Sequence, residues 1–156
     1  MYRILLLFSI VLFFCQCKST KDYMTPYEYE GRSISFGNGG GFTGKSVDYT
    51  LMDNGQIFRG VNKEGNVDMI MKLSENEVTQ IFNTYDLLGF EKMNVDSPGN
   101  MYFFVQMNNS TPTEDKKLVW GNYDAGETRE LKLFYLNLMR LANKGTKSSP
   151  YKTEVK

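Results

Sequence analysis

Residues 47–61 read Val47-Asp48-Tyr49-Thr50-Leu51-Met52-Asp53-Asn54-Gly55-Gln56-Ile57-Phe58-Arg59-Gly60-Val61. From Val47 to Leu51 the larger apolar side chains alternate with polar ones, the period of a strand with one buried face. Asp53-Asn54-Gly55 supplies turn chemistry and Ile57 to Val61 resumes in a second strand, so the stretch predicts a β-hairpin. Toward the C terminus, a turn at Asn62-Lys63-Glu64-Gly65-Asn66 leads into a third strand, Val67 to Leu73. Three strands joined by such short links make a meander. Toward the N terminus, Ser33 to Phe36 is a short candidate strand, followed by a glycine-rich stretch from Gly37 to Gly44.

Beyond the meander, Ser74 and Glu77 have the spacing of a capping box, each side chain able to satisfy the other's backbone N–H. Val78, Ile81, Phe82, Tyr85 and Leu88 recur at helical spacing behind that cap, and Gly89 is placed to end the helix in a left-handed conformation. Met101 to Met107 is dense enough in apolar and aromatic residues to be a central strand, paired with Lys117 to Trp120 across the polar loop Asn108 to Lys116. A closing helix carries Leu131, Phe134, Tyr135, Leu138 and Leu141 on one stripe. Glu127, Arg129, Glu130, Lys132 and Arg140 fall mostly elsewhere, with Gly145 just past the expected end. The expected fold is α+β: an antiparallel sheet of about five to six strands with two helices packed on one face, in the order β-β-β-β-α-β-β-α. The expected domain covers residues 32–143, with a polar tether at 17–31 broken by Pro26 and a polar tail at 144–156.

The first residues, MYRILLLFSIVLFFCQCKSTK, have a different character. Arg3 gives a positive start, Ile4 to Phe14 an apolar run interrupted only by Ser9, and Cys15 and Cys17 stand where a signal would be cleaved. The run is shorter than the roughly 20 residues a bilayer-spanning helix needs. The segment resembles bacterial lipoprotein signal peptides, in which cleavage precedes a cysteine that becomes the acylated first residue. The resemblance implies that residues 1–16 are a lipoprotein signal peptide and that Cys17 is lipidated, with a palmitate-type chain. Lys18-Ser19-Thr20-Lys21-Asp22 would form the polar tether, similar to exported lipoproteins of Bacteroidota. It also implies a protein anchored to a bacterial membrane, the outer membrane for preference. Gln16 stands where such signals carry a small residue, and an ordinary secretory signal cut nearby, leaving one free cysteine, is the alternative.

Composition narrows the chemistry. At 156 residues the chain suits one domain large enough to bury a core without disulfides or metal. No cysteine follows Cys17, so the domain has neither a disulfide framework nor a thiol nucleophile. The absence of histidine removes the commonest metal ligand and neutral-pH base, which argues against zinc sites and histidine triads. With 18 basic and 18 acidic residues and no polybasic run, nucleic acid is not an expected partner. No cofactor and no metal are expected, and no residue stands out as catalytic. Glu114-Asp115 and Asp124 with Glu127 are carboxylate pairs of the kind glycosidases use, but solvation and helix capping account for them. Asn108-Asn109-Ser110-Thr111 contains glycosylation acceptor patterns that read most simply as a polar hairpin loop.

Gly39-Gly40-Gly41-Phe42-Thr43-Gly44-Lys45-Ser46 matches the P-loop pattern. A phosphate-binding P-loop opens a helix whose positive end faces the phosphates. Here the period-two stretch Val47 to Leu51 follows, and no magnesium-binding Asp ends an apolar strand: Lys72 follows Met69-Ile70-Met71 and Gln106 follows Phe103-Phe104-Val105. Nucleotide is therefore not expected. Two readings of the glycines remain: positive φ and close backbone approach at a wide turn or bulge, or a ligand-binding loop of Gly39, Gly40, Gly41, Phe42, Thr43, Gly44 and Lys45, with exposed amides and Phe42 as an apolar contact.

Three landmarks occur in order: Phe36-Gly37-Asn38-Gly39-Gly40-Gly41-Phe42-Thr43-Gly44-Lys45, Pro98-Gly99-Asn100-Met101-Tyr102 and Val119-Trp120-Gly121. With them the region from Ser33 to Leu141 resembles an uncharacterised family of small exported Bacteroidota lipoproteins. The resemblance implies one globular domain and brings no reaction or ligand with it. Pro98-Gly99-Asn100 also reads as a tight turn, and Trp120 as a core aromatic at a strand end. The preferred function class is a non-enzymatic binding domain in the cell envelope, presenting a sheet face or the glycine loop to an envelope protein, peptide or glycan. The alternative is an envelope enzyme using carboxylate, lysine or tyrosine chemistry in a cleft.

Overall fold

The computed structural model describes residues 24–42, 44–60, 67–109, 116–121, 126 and 128–148. Its elements are β1 (Ser33–Gly40), β2 (Val47–Met52), β3 (Gln56–Gly60), β4 (Val67–Lys72), α1 (Glu75–Leu87), a 3-10 turn (Phe90–Lys92), β5 (Asp96–Ser97), β6 (Met101–Asn108), β7 (Lys116–Trp120) and α2 (Arg129–Ser148). The strands form one seven-stranded sheet in the order β4-β3-β2-β1-β6-β7-β5. The predicted hairpin is present as β2 and β3, and β4 completes an antiparallel meander, while Val61 and the turn expected at Asn62 to Asn66 lie outside the described residues. β1 is interior, pairing antiparallel with β2 (Ser35↔Thr50) and with β6 (Ser35↔Gln106).

The class is α+β, but the sheet corrects the sequence expectation in strand number, direction and order. It is mixed rather than antiparallel: β5 runs parallel to β7, with Asp96 opposite Val119 and Ser97 opposite Trp120. The Val119 N–H donates to the Val95 carbonyl at 2.8 Å, fixing that edge. The observed order is therefore β-β-β-β-α-β-β-β-α. A two-residue strand spans a single alternation of the pleat, too little to produce a periodic signal.

The glycine-rich stretch is corrected in part as well. β1 does not stop at Phe36 but continues through Gly37, Asn38, Gly39 and Gly40, paired with β6 to its end. Glycine is needed there because neighbouring backbone comes too close for a side chain. A Cβ on Gly37 would lie 2.0 Å from the Val47 carbonyl oxygen, and one on Gly40 2.1 Å from that of Asn100. The C-terminal boundary also moves. Gly145 lies inside α2, where its lack of a side chain lets Met71 of β4 pack against the helix, and the helix runs on to Ser148, past the expected domain end.

Alternation along the strands separates two faces. Ile34 and Phe36 of β1, Leu51 of β2, Ile57 of β3, Val105 and Met107 of β6 and Leu118 of β7 are all at 0% exposure and share one core. Val78, Ile81, Phe82 and Tyr85 of α1 join that core, as do Leu131, Phe134, Leu138 and Leu141 of α2. Burying each such side chain stabilises the fold by roughly 1.5–3 kcal/mol. Tyr85 meets Phe90 of the 3-10 turn edge-on at 5.4 Å, and Phe90 meets Phe134 at 5.3 Å, so three elements lock through aromatic contacts. The Tyr85 hydroxyl is buried with no hydrogen-bond partner.

The helix ends follow local chemistry. At α1 the capping box is complete: the Ser74 N–H donates to Glu77 Oε2 at 2.9 Å and the Glu77 N–H to Ser74 Oγ at 3.4 Å. Gly89, at φ 66°, turns the chain after the helix in the left-handed region the sequence predicts. At α2 the Thr128 hydroxyl accepts from the Leu131 N–H at 3.2 Å, which starts the helix. Arg32 makes two hydrogen bonds to the Asp86 carboxylate, 2.7 and 3.2 Å, tying the entry of β1 to the end of α1. That contact, together with the Coulomb field of Asp86, holds the guanidinium cationic.

Candidate functional site

The face of the sheet turned away from the helices is polar at its centre. Ser33 and Ser35 on β1, Thr50 on β2 and Asn108 on β6 lie side by side because β2, β1 and β6 are neighbours, and all four are half-buried. The Asn108 amide donates to Ser35 Oγ at 2.9 Å and to Ser33 Oγ at 3.2 Å, and the Ser35 and Thr50 hydroxyls share a hydrogen bond of 3.3 Å. These side chains therefore form a connected network whose remaining lone pairs and protons face outward.

One wall above this network comes from the segment expected to be a polar tether leading into the fold. Its part from Met24 to Gly31 is seated on the domain: the Tyr29 hydroxyl donates to Asp53 Oδ1, and the Arg32 N–H donates to Asp53 Oδ2 at 2.9 Å. Partial burial, and then the hydrogen bond to Asp53, push the Tyr29 phenol up to about 12, so it stays a neutral donor. Upstream, Thr25 and Glu28 close a turn over Pro26, with the Thr25 hydroxyl donating to Glu28 at 2.9 Å. These hydrogen bonds also lower the Glu28 carboxyl.

Segment and sheet together enclose a cleft of about 320 Å³. Tyr27 and Tyr29 stand on one side, Ser33, Ser35, Thr50 and Asn108 at the centre, and Phe58, at 1% exposure, closes the apolar end. Tyr27 is 71% exposed, an aromatic ring presented to solvent at the rim. Among the described residues, the lining has no lysine or arginine and a single carboxylate, Asp48, which accepts from Ser46 Oγ at 3.2 Å. Among the described residues there is no cluster of three or more acidic or metal-ligating side chains.

The glycine loop lies elsewhere, beyond the opposite end of β1 from Ser33. Gly39 and Gly40 belong to β1, Gly41 and Phe42 begin the loop, Gly44 and Lys45 lead into β2, and Thr43 lies outside the described residues. Its amides are partly committed: the Gly41 N–H donates to the Asn100 carbonyl at 2.6 Å and the Gly44 N–H to the Gly41 carbonyl at 3.1 Å. β2 begins at Val47, so no helix N-terminus faces the loop, as a phosphate cradle requires. Fully exposed Phe42 and half-exposed Met101 give the loop an apolar tip.

The three sequence landmarks meet at this end of the sheet. A Cβ on Gly39 would lie 2.6 Å from the Tyr102 hydroxyl, and one on Gly121 would lie 2.2 Å from the Met101 carbonyl oxygen. Their glycines thus allow β1, β6 and the end of β7 to close together. Trp120 is a core residue at 4% exposure, edge-on to Tyr135 at 5.3 Å. Cys17, Glu114-Asp115, Asp124 and Glu127 lie outside the described residues.

The residues that sequence reasoning missed are those of the cleft. Their only trace is a polar residue at every second position: Ser33 and Ser35, Asp48 and Thr50, Gln106 and Asn108. That pattern becomes a site only once β6 is known to lie beside β1. No protein-family model matches this chain, and no curated protein matches it significantly.

Proposed function

We propose that this protein is an exported, lipid-anchored binding domain of the bacterial cell envelope, held by an acyl chain on Cys17 at the outer membrane, and that its ligand is an uncharged glycan taken up in the cleft on the open sheet face. The observation that carries the ligand class is the cleft's lining. Hydroxyls, carboxamides and tyrosine rings around about 320 Å³, with no cation among the described lining residues, suit a polyhydroxylated neutral molecule. An anionic ligand would find no counter-charge among those residues. Tyr27 offers a sugar ring an apolar face at the rim, and Ser33, Ser35, Thr50 and Asn108 offer alternating donors and acceptors. Among the described lining residues, one carboxylate without a partner acid or base favours binding over hydrolysis.

The anchor reading rests on the lipoprotein-type signal at residues 1–17. No helix among the described residues is long and apolar enough to cross a membrane. Intact mass of membrane-extracted protein tests the anchor: acyl mass on a chain starting at Cys17 is expected, and an unmodified chain contradicts it. Calorimetric titration with neutral hexose and N-acetylhexosamine oligosaccharides tests the cleft. Saturable binding lost in Tyr27→Ala is expected, whereas binding unchanged in that variant would place the ligand elsewhere.

A further inference from the structure

α2 carries a second surface that neither the core nor the cleft uses. Its inward stripe, from Leu131 through Leu138 to Gly145, fixes the orientation of the helix. On the opposite side, Leu133 and Leu136 are 55% and 59% exposed, flanked by Arg129, Arg140, Lys144 and Lys147. The helix has five basic residues and one acidic residue, Glu130, in a chain whose basic and acidic residues balance at 18 each. Arg129, Arg140, Lys144 and Lys147 take part in no ion pair among the described residues. Glu77 of α1 feels the Lys144 charge, but its carboxyl is lowered chiefly by its Ser74 hydrogen bonds and only lastly by Lys144. Along this face runs a shallow groove of about 540 Å³, with Leu136 and Met139 as apolar lining and Arg140, Lys144 and Lys147 around it.

We propose that the outward face of α2 rests on an anionic phospholipid surface, seating the domain with its open sheet face and cleft turned away from the membrane. Exposed leucines among unpaired cations are the arrangement of a helix lying in a bilayer interface. The leucines enter the headgroup boundary while lysine and arginine meet lipid phosphates. An acyl anchor with a basic patch provides two membrane signals instead of one, and the patch adds an orientation that a flexible anchor cannot. Pro26, Tyr27 and Tyr29 lie on the cleft side, and one sheet layer and one helix layer together are about 20 Å thick. Seven residues of extended chain, the number from Cys17 to Met24, reach at most about 25 Å, more than that thickness. The inference takes the position of the membrane from the anchor reading, but the α2 contact itself requires only anionic lipid.

The experiment uses the mature protein extracted from membranes, carrying Asn143→Cys labelled with an environment-sensitive dye. It is reconstituted into vesicles of phosphatidylglycerol with phosphatidylethanolamine, or of phosphatidylcholine alone. A blue shift on the anionic vesicles, reversed by high salt, is expected, while the same dye at Asn54→Cys on the β2–β3 turn stays water-exposed. Arg140→Gln with Lys144→Gln should weaken the contact by about 30-fold, taking each cation near an anionic surface as about a fivefold effect. Arg140→Lys with Lys144→Arg should retain it. A dye that remains water-exposed on both vesicle types, or shifts equally on both, overturns the proposal. So does a shift that appears only when a soluble acidic protein is added. Intact mass of the same preparation separates the two ideas, since a chain without an acyl group is still expected to sediment with anionic vesicles in a salt-sensitive way.

Discussion

On one side of the sheet Ile34, Phe36, Leu51 and Val105 stand at 0% exposure in the helix-packed core; on the other, one position along the same strands, Ser33, Ser35, Thr50 and Gln106 remain half-buried. The two faces share every backbone hydrogen bond and differ only in the parity of their side chains. Most of the buried core therefore lies on the helix side, while the open face, beside buried Met52, Phe58 and Phe104, carries a polar network and a cleft. Substitutions on the two faces should separate stability from binding.

The largest effect is expected on the helix side. Leu138→Asp puts a carboxylate where the leucine is 1% exposed, and should cost more than about 4 kcal/mol, leaving the domain unfolded in a denaturation experiment. Unchanged stability would mean that α2 is not docked as described. Next is Gly37→Ala, whose methyl would meet the Val47 carbonyl oxygen at 2.0 Å, a backbone atom that cannot swing aside. A loss of about 3 kcal/mol in denaturant titration is expected. Gly44→Ala, at φ +58° in open space, should lose only about 1–2 kcal/mol.

A smaller effect, of opposite sign, is expected at Tyr85. Its hydroxyl is buried without a partner, so Tyr85→Phe should stabilise the protein by about 1 kcal/mol. Burial pushes the phenols of Tyr85 and Tyr135 up to about 12 from the usual 10.0. The folded state holds these protons more tightly than the unfolded chain does. That contribution is full below pH 10 and is lost as pH rises toward 12. Denaturation midpoints should fall across that window, less steeply in Tyr85→Phe. The smallest stability change belongs to the open face: Tyr27→Ala should shift unfolding by less than about 0.5 kcal/mol while abolishing ligand binding.

The local elements were legible in the sequence wherever one signal acted alone. The hairpin showed in its alternation and turn residues, α1 in its capping box and Gly89, and α2 in its apolar stripe. The misses arose where two constraints met at one residue. Gly37 and Gly40 read as turn or bulge glycines needing close backbone approach, which holds, but they sit inside β1, and Gly145 read as a helix end although it makes room for Met71. β5 was too short for any period. The candidate site was hidden for a different reason. Asn108 reaches Ser33 and Ser35 across 75 and 73 positions of sequence, and nothing local announces that β6 inserts beside β1. The glycine loop drew attention through its motif, while the cleft was assembled from serines, a threonine and an asparagine that are unremarkable one at a time.

The comparison of faces is tested most directly by amide chemical-shift mapping of the mature protein during titration with neutral oligosaccharides. Saturable shifts confined to Tyr27, Tyr29, Ser33, Ser35, Thr50 and Asn108, with the signals of α2 and of Gly41 to Lys45 unmoved, are the expected result. Shifts centred on the glycine loop or on α2, or none at all, would contradict the assignment of the open sheet face as the binding surface.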